Sequence, residues 1–99
     1  MNIQIHSLRF DADKKLIDFV NQKVSKLSLF SEDIVSAEVS LRLDKDQDGE
    51  NKVSEIKVEL PGGPLFAKKH SKSFEEATDG AIDALKKQIT KHKDKMRGV

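Results

Sequence analysis

Ninety-nine residues with 18 Lys and Arg against 17 Asp and Glu, 36% hydrophobic residues and no Cys describe one charged globular domain with a single modest core. The missing Cys excludes disulfides, thiolate metal sites and Cys nucleophiles together. A net charge of only +1 means that any nucleic-acid binding must rest on segregated charge and not on overall basicity.

Residues 1–10, MNIQIHSLRF, hold no basic leader followed by an apolar run, and no stretch approaches the roughly 18 apolar residues of a membrane span. A cytoplasmic protein without membrane contact is expected. Residues 2–9 alternate through Ile3 and Ile5 and predict a first strand. Asp11 or Asp13 can cap a helix running to about residue 29, with Leu16, Ile17, Val20, Val24 and Leu27 on its inner face and Lys23 and Lys26 together on a flank. After a break at residues 31–33, Val35, Ala37, Val39, Leu41 and Leu43 alternate with polar neighbours as a half-buried strand. A polar loop at 44–51 leads to a third strand with Ile56, Val58 and Leu60 facing inward. Pro61-Gly62-Gly63-Pro64 must then reverse the chain. A short fourth strand at 65–69 precedes a long helix over residues 74–97.

That order, β-α-β-β-β-α, with one apolar sheet face, predicts an α+β two-layer sandwich: a four-stranded sheet with both helices on one side. One domain should span residues 1–99. The last helix is the most informative element. Phe74, Ala81, Ile82, Leu85, Ile89 and Met96 form one apolar stripe. Glu75, Glu76, Asp79 and Asp83 occupy its first half, whereas Lys86, Lys87, Lys91, Lys93, Lys95 and Arg97 crowd the second, so that a basic helical tail runs from about residue 86 to 99. This order suits the helix dipole, but dipole matching needs only a cation or two in the last turn. Lys87, Lys91 and Lys95 make one row opposite the stripe, and Lys86, Lys93 and Arg97 a second along a flank. Two rows of cations on a rigid rod suit phosphates; the plain alternative is a solvated, solubilising helix end. A helix of this length spans about 35 Å against about 23 Å for a seven-residue strand, so the lysine-rich end should overhang the sheet. Gly80 reads as merely tolerated in the helix interior.

Other chemistry is weaker. Asp44, Asp46, Asp48, Gly49 and Glu55 match the calcium-loop spacing, but the segment joins two strands where that loop needs flanking helices, so a plain acidic hairpin is expected and no metal site. His6, His70 and His92 sit on three elements without ligand spacing. Neither a nucleophile elbow nor a phosphate loop is present, so no catalytic residues, no cofactor and no enzyme activity are expected. The open sheet face is read as Ser, Glu, Lys and Arg without aromatics, which leaves RNA binding to the helices. Lys68, Lys69, His70 and Lys72 could extend a basic surface or serve as a solvated strand edge.

The Gly62-Gly63 hairpin with Leu65 and Ala67, the Phe74-x-x-Ala77-x-Asp79 turn, Ala81-Ile82-Asp83, the run Lys87-Gln88-Ile89-Thr90-Lys91-His92-Lys93-Asp94-Lys95, and Phe19-Val20 with Lys23-Val24-Ser25-Lys26-Leu27 resemble the ribosome hibernation promoting factor and ribosome-associated inhibitor family, in its short form. Leu29, and Ala77-Thr78-Asp79 in place of a usual A-I-D, depart from its pattern. The resemblance implies a fold akin to a double-stranded RNA-binding domain. It also implies binding to the small ribosomal subunit and its 16S rRNA in the mRNA and tRNA channel, inhibition of translation under stress or in stationary phase, and a monomeric free protein. A separate small ribosome-dimerising partner would fit the same picture. Carried over by position, rRNA contacts fall to Lys23, Lys26, Lys87, Lys91 and Lys95. Two rival readings are a protein-interaction module docking an acidic regulatory partner, and a general binder of double-stranded RNA.

Overall fold

The computed structural model describes residues 1–45 and 49–96, the last two as backbone only. The elements are β1 (Asn2–Leu8), α1 (Lys14–Ser25) continued by a 3-10 turn (Lys26–Leu29), β2 (Ser36–Leu43), β3 (Lys52–Glu59), β4 (Leu65–Ser71) and α2 (Phe74–Met96). The sheet order is β1-β2-β3-β4, with β1 parallel to β2 and the other pairs antiparallel. The parallel pair follows from α1, since only a crossover can return the chain in the same direction.

Asp13, not Asp11, caps α1: its Oδ1 accepts from the Leu16 amide at 2.9 Å. The α-helix ends at Ser25, and the predicted remainder to Leu29 tightens into the 3-10 turn. At the start of α2, the Ser73 hydroxyl accepts from the Glu76 amide at 3.1 Å, and the Ser71 hydroxyl donates to the Glu76 carboxylate at 2.7 Å. The spacing of Ser73 and Glu76 is that of a capping box, with Ser71 taking up the carboxylate. Phe10 stacks on Phe74 with ring centroids 4.7 Å apart, which pins the start of α2 to the segment before α1.

One core lies between the sheet and both helices. Val20, Val24 and Leu27 meet Ala81, Ile82, Leu85 and Ile89 of α2 over Val39, Leu41, Ile56 and Val58. The register aligns Ile5, Val39, Ile56 and Ala67 across all four strands, so a single row of inward side chains underlies the helices. Thr78 stands within the apolar stripe, and its hydroxyl donates to Ser54 at 3.1 Å, so neither buried oxygen is left unpaired. Gly62 and Gly63 take φ of 95° and 121°, the region the turn between the two prolines requires.

Three expectations are corrected. The alternation of the second strand loses its ends: Val35 precedes β2 and is 65% exposed, and Leu43 is also exposed. The fourth strand reaches Ser71 instead of residue 69. The open sheet face does carry an aromatic, because Phe66 alternates outward from Leu65 and Ala67; it is 55% exposed, with the Lys57 ammonium 5.9 Å from its ring centroid. Gly80 has a neighbour across the layer: a Cβ there would lie 3.2 Å from Cγ of Lys69, whose stem crosses from β4. That stem is exposed and can shift by a few tenths of an ångström. Gly80→Ala is therefore expected to gain most of the helix-propensity difference of about 1 kcal/mol and to raise Tm by several degrees. A fall in Tm on a calorimetric scan would show the Lys69 crossing to be rigid.

The acidic loop is only partly described. Asp46 and Asp48 of the calcium spacing lie outside the described residues. Glu55 sits in β3 opposite Ser40 and pairs with Arg42 at 3.5 Å, so it belongs to the open sheet face.

Candidate nucleic-acid interface

The cations that the sequence singles out are carried by α1, α2 and the 3-10 turn, all on the same side of the sheet. Lys23, on the last turn of α1, reaches across to Asp79 of α2 at 3.3 Å and lies 5.5 Å from the Phe19 ring centroid. Lys86 stands 3.9 Å from Asp83, one turn earlier on its own helix, and 5.2 Å from the Phe30 ring centroid. Lys26 opens the 3-10 turn and is exposed. Lys23 and Lys26 on one side, and Asp79, Ile82, Asp83 and Lys86 of α2 on the other, line a groove of about 330 Å³ between the helices.

The acidic half of α2 thus does more than complement the helix dipole, since two of its carboxylates stand among the cations of the groove. Both ion pairs are substantially exposed, and pairs of that kind contribute only about 0.2–1 kcal/mol. A phosphate with more than one lysine in reach can displace them. Asp79→Asn is therefore expected to tighten RNA binding by up to about fivefold with an unchanged melt, the whole gain corresponding to one released surface pair. Weaker binding in a fluorescence titration would mean that Asp79 holds Lys23 in its useful position.

The second array lies elsewhere on α2. Each step of four residues advances about 40° beyond a full turn, so the row from Lys87 to Lys91 winds from the solvent face toward β4. On that flank Gln88 donates to the Phe66 carbonyl at 2.7 Å. Lys87 and Lys91 are exposed, and neither is ion-paired among the described residues. Lys95 continues the row along the backbone, and Arg97 lies outside the described residues. The row of Lys86 and Lys93 faces the opposite flank, toward the 3-10 turn, where the Lys93 ammonium donates to the Phe30 carbonyl at 2.9 Å.

His92 Nε2 donates to the Pro61 carbonyl at 2.6 Å and ties α2 to the β3–β4 hairpin. Beyond that contact only residues 93–96 continue, about one turn. The expected overhang is that short within the described residues, and most of the lysine-rich half lies along the domain. Lys68 and Lys69 point to opposite faces, Lys68 outward opposite Glu55 and Lys69 toward Gly80, so the run 68–72 does not extend the basic surface as a unit. His70 turns to the open face and pairs with Asp44 at 3.2 Å. Among the described residues no three His, Cys, Asp or Glu side chains converge as a metal site, and no helix is long and apolar enough to cross a membrane.

The chain is similar to proteins of known name along nearly its whole length. It is 30% identical over 97 residues to the ribosome hibernation promoting factors of Klebsiella oxytoca and Escherichia coli K12, covering 98% of each chain. It is 31% identical over 96 residues to the ribosome hibernation promotion factor of Bacillus subtilis, of which it spans half. Its fold matches a ribosomal subunit interface protein from Coxiella burnetii with a TM-score of 0.84 at 21% identity, covering 95% of this chain and 99% of that one. It also matches the N-terminal domain of Protein Y from Thermus thermophilus with a TM-score of 0.79 at 27% identity, covering 93% and 99%. The sequence profile of the Sigma 54 modulation protein / S30EA ribosomal protein family matches residues 3–97, so the chain, from its first strand to the end of its basic helix, belongs to that family.

Proposed function

We propose that this protein is a ribosome hibernation factor: it binds the small ribosomal subunit through 16S rRNA in the channel for mRNA and tRNA, and it inhibits translation by occupying that channel. The observation that carries the reading is the end-to-end correspondence with proteins named as hibernation promoting factors, 98% of both chains for the relative from Escherichia coli K12. The charge layout supports it. Exposed Lys26, Lys87 and Lys91 offer phosphate contacts without a competing carboxylate among their described ion pairs, and Lys23 and Lys86 stand ready once Asp79 and Asp83 are displaced. A single exposed Phe on the open sheet face falls short of the two or three stacked bases typical of an RNA-recognition sheet. The helices therefore carry the interface, and the protein acts by binding, without a catalytic step.

Co-sedimentation with 70S ribosomes and separated subunits over a salt series, with a free RNA duplex as competitor, tests this. The expected result is near-stoichiometric, salt-sensitive binding to the small subunit that excess duplex does not displace. Equal affinity for any duplex would favour a general double-stranded RNA binder. Absence from the pellet at low salt would favour an acidic protein partner.

A further inference from the structure

The segment after the 3-10 turn exposes apolar surface beside the cations. Leu29 is 82% exposed and Phe30 38%, although every other aromatic on the helix side of the sheet is at least partly buried against the core. Two lysines of α2 hold Phe30 in place: Lys86 stands over its ring and Lys93 bonds its carbonyl. The ring is thus preorganised and does not need to be ordered by a ligand. Lys86 also walls the groove between the helices, so the cationic groove runs directly into the aromatic edge.

Beside the ring lies a cleft of about 290 Å³ formed by Leu29, Phe30, Thr90, Lys93 and Asp94. Its neighbour across Leu29 and Phe30 adds Glu32 and Asp33. Charge is sorted around the ring: Lys26 and Lys86 stand on the groove side, and on the cleft side Asp94, Glu32 and Asp33 outnumber Lys93, whose ammonium is engaged on the Phe30 carbonyl. The groove side therefore favours a phosphate more than the cleft side does. An exocyclic amine of a base can donate to a carboxylate, and a base plane can lie against Phe30 and Leu29.

We propose that Leu29 and Phe30 form a stacking shelf for one unpaired RNA base bearing an exocyclic amine, its 5′ and 3′ phosphates held by Lys26 and Lys86. The inference rests on the reading that the helices meet ribosomal RNA, and it narrows the ligand from RNA in general to an unstacked nucleotide in a single-stranded segment. A base inside a duplex cannot offer its face to Phe30. The shelf thus selects against regular stems, which backbone contacts alone would not do.

Single-stranded RNA hexamers of cytidine, adenosine or uridine, each with a 5′ fluorescein, report on this by fluorescence anisotropy. Wild-type protein is expected to raise the anisotropy and to prefer cytidine and adenosine hexamers over uridine, which lacks the exocyclic amine. Phe30→Leu should weaken binding about tenfold, as for loss of one stacked base, with an unchanged salt slope and melt. Phe30→Tyr should restore it, and Lys26→Ala should lower the salt slope by close to one contact. The shelf is overturned if Phe30→Leu binds like wild type, if a duplex binds as tightly as the hexamers, or if no hexamer binds. Sedimentation with ribosomes separates the two readings. Pelleting that persists in Phe30→Leu alongside unchanged hexamer binding removes the shelf alone, whereas loss of pelleting in the wild type removes the ribosomal reading beneath it.

Discussion

Replacing Lys87, Lys91 and Lys95 together with alanine is expected to weaken binding to the small subunit roughly a hundredfold at about 0.1 M salt. Each phosphate contact contributes about 0.7–0.9 to the slope of log affinity against log salt, so three lost contacts also flatten that slope by two to three. Lys87 and Lys91 are exposed and make no ion pair among the described residues, so their removal leaves no carboxylate stranded and the melt should not move. The contrasting variant is Lys23→Ala with Lys86→Ala. Those two already share their charge with Asp79 and Asp83, so the same measurement should show a smaller loss per lysine. Equal losses would mean that the surface pairs are open in solution. Unchanged affinity in the triple variant would remove the lysine row from the interface altogether.

The contrast between the two arrays marks where sequence reasoning worked and where it stopped. Helical periodicity found the apolar stripe of α2, and the buried residues follow it from Phe74 through Ile89. It also separated the row of Lys87 and Lys91 from that of Lys86 and Lys93, because both are properties of one helix. Charge sorting along α2 was likewise legible, but its meaning depended on a neighbour. Asp79 and Asp83 look like dipole complements until α1 is laid beside them and Lys23 arrives at 3.3 Å.

The same limit explains Lys93 and Gly80. By periodicity Lys93 groups with cations free to meet phosphate, whereas the structure places its ammonium on the Phe30 carbonyl. Gly80 passes for a lapse in helix propensity until Lys69 of β4 crosses it. Neither contact has any signature within its own element. Phe66 is a different kind of miss, since Leu65 and Ala67 already fix it as outward by the two-residue period. The Ser73 cap, with Glu76 three residues on, was also readable from sequence. Thr78 answers Ser54 across the core, so the polar residue in the stripe is one half of a hydrogen bond whose other half lies 24 residues earlier.

Ile89→Ala should have the largest effect on stability. The side chain is fully buried in the lysine-rich half of α2, on the turn between the Gln88 contact to β4 and the His92 contact to the hairpin. Truncating a buried Ile to Ala costs about 2–5 kcal/mol, out of about 5–15 kcal/mol for a typical domain. For a domain of this size that lowers Tm by about 10–30 °C. The variant keeps every lysine, so its binding defect arises from unfolding and mass action can reverse it. Small subunits at a hundredfold excess over Kd would return about 2.7 kcal/mol, which more than offsets the loss at the lower end and about half of it at the upper. Limited proteolysis of Ile89→Ala should therefore show strong protection by added small subunits, while the triple lysine variant, folded but only about half bound at that concentration, should show about twofold protection. Protection of neither variant would mean that α2 contributes to stability but not to docking, because a ligand can stabilise the folded chain only through surface it contacts.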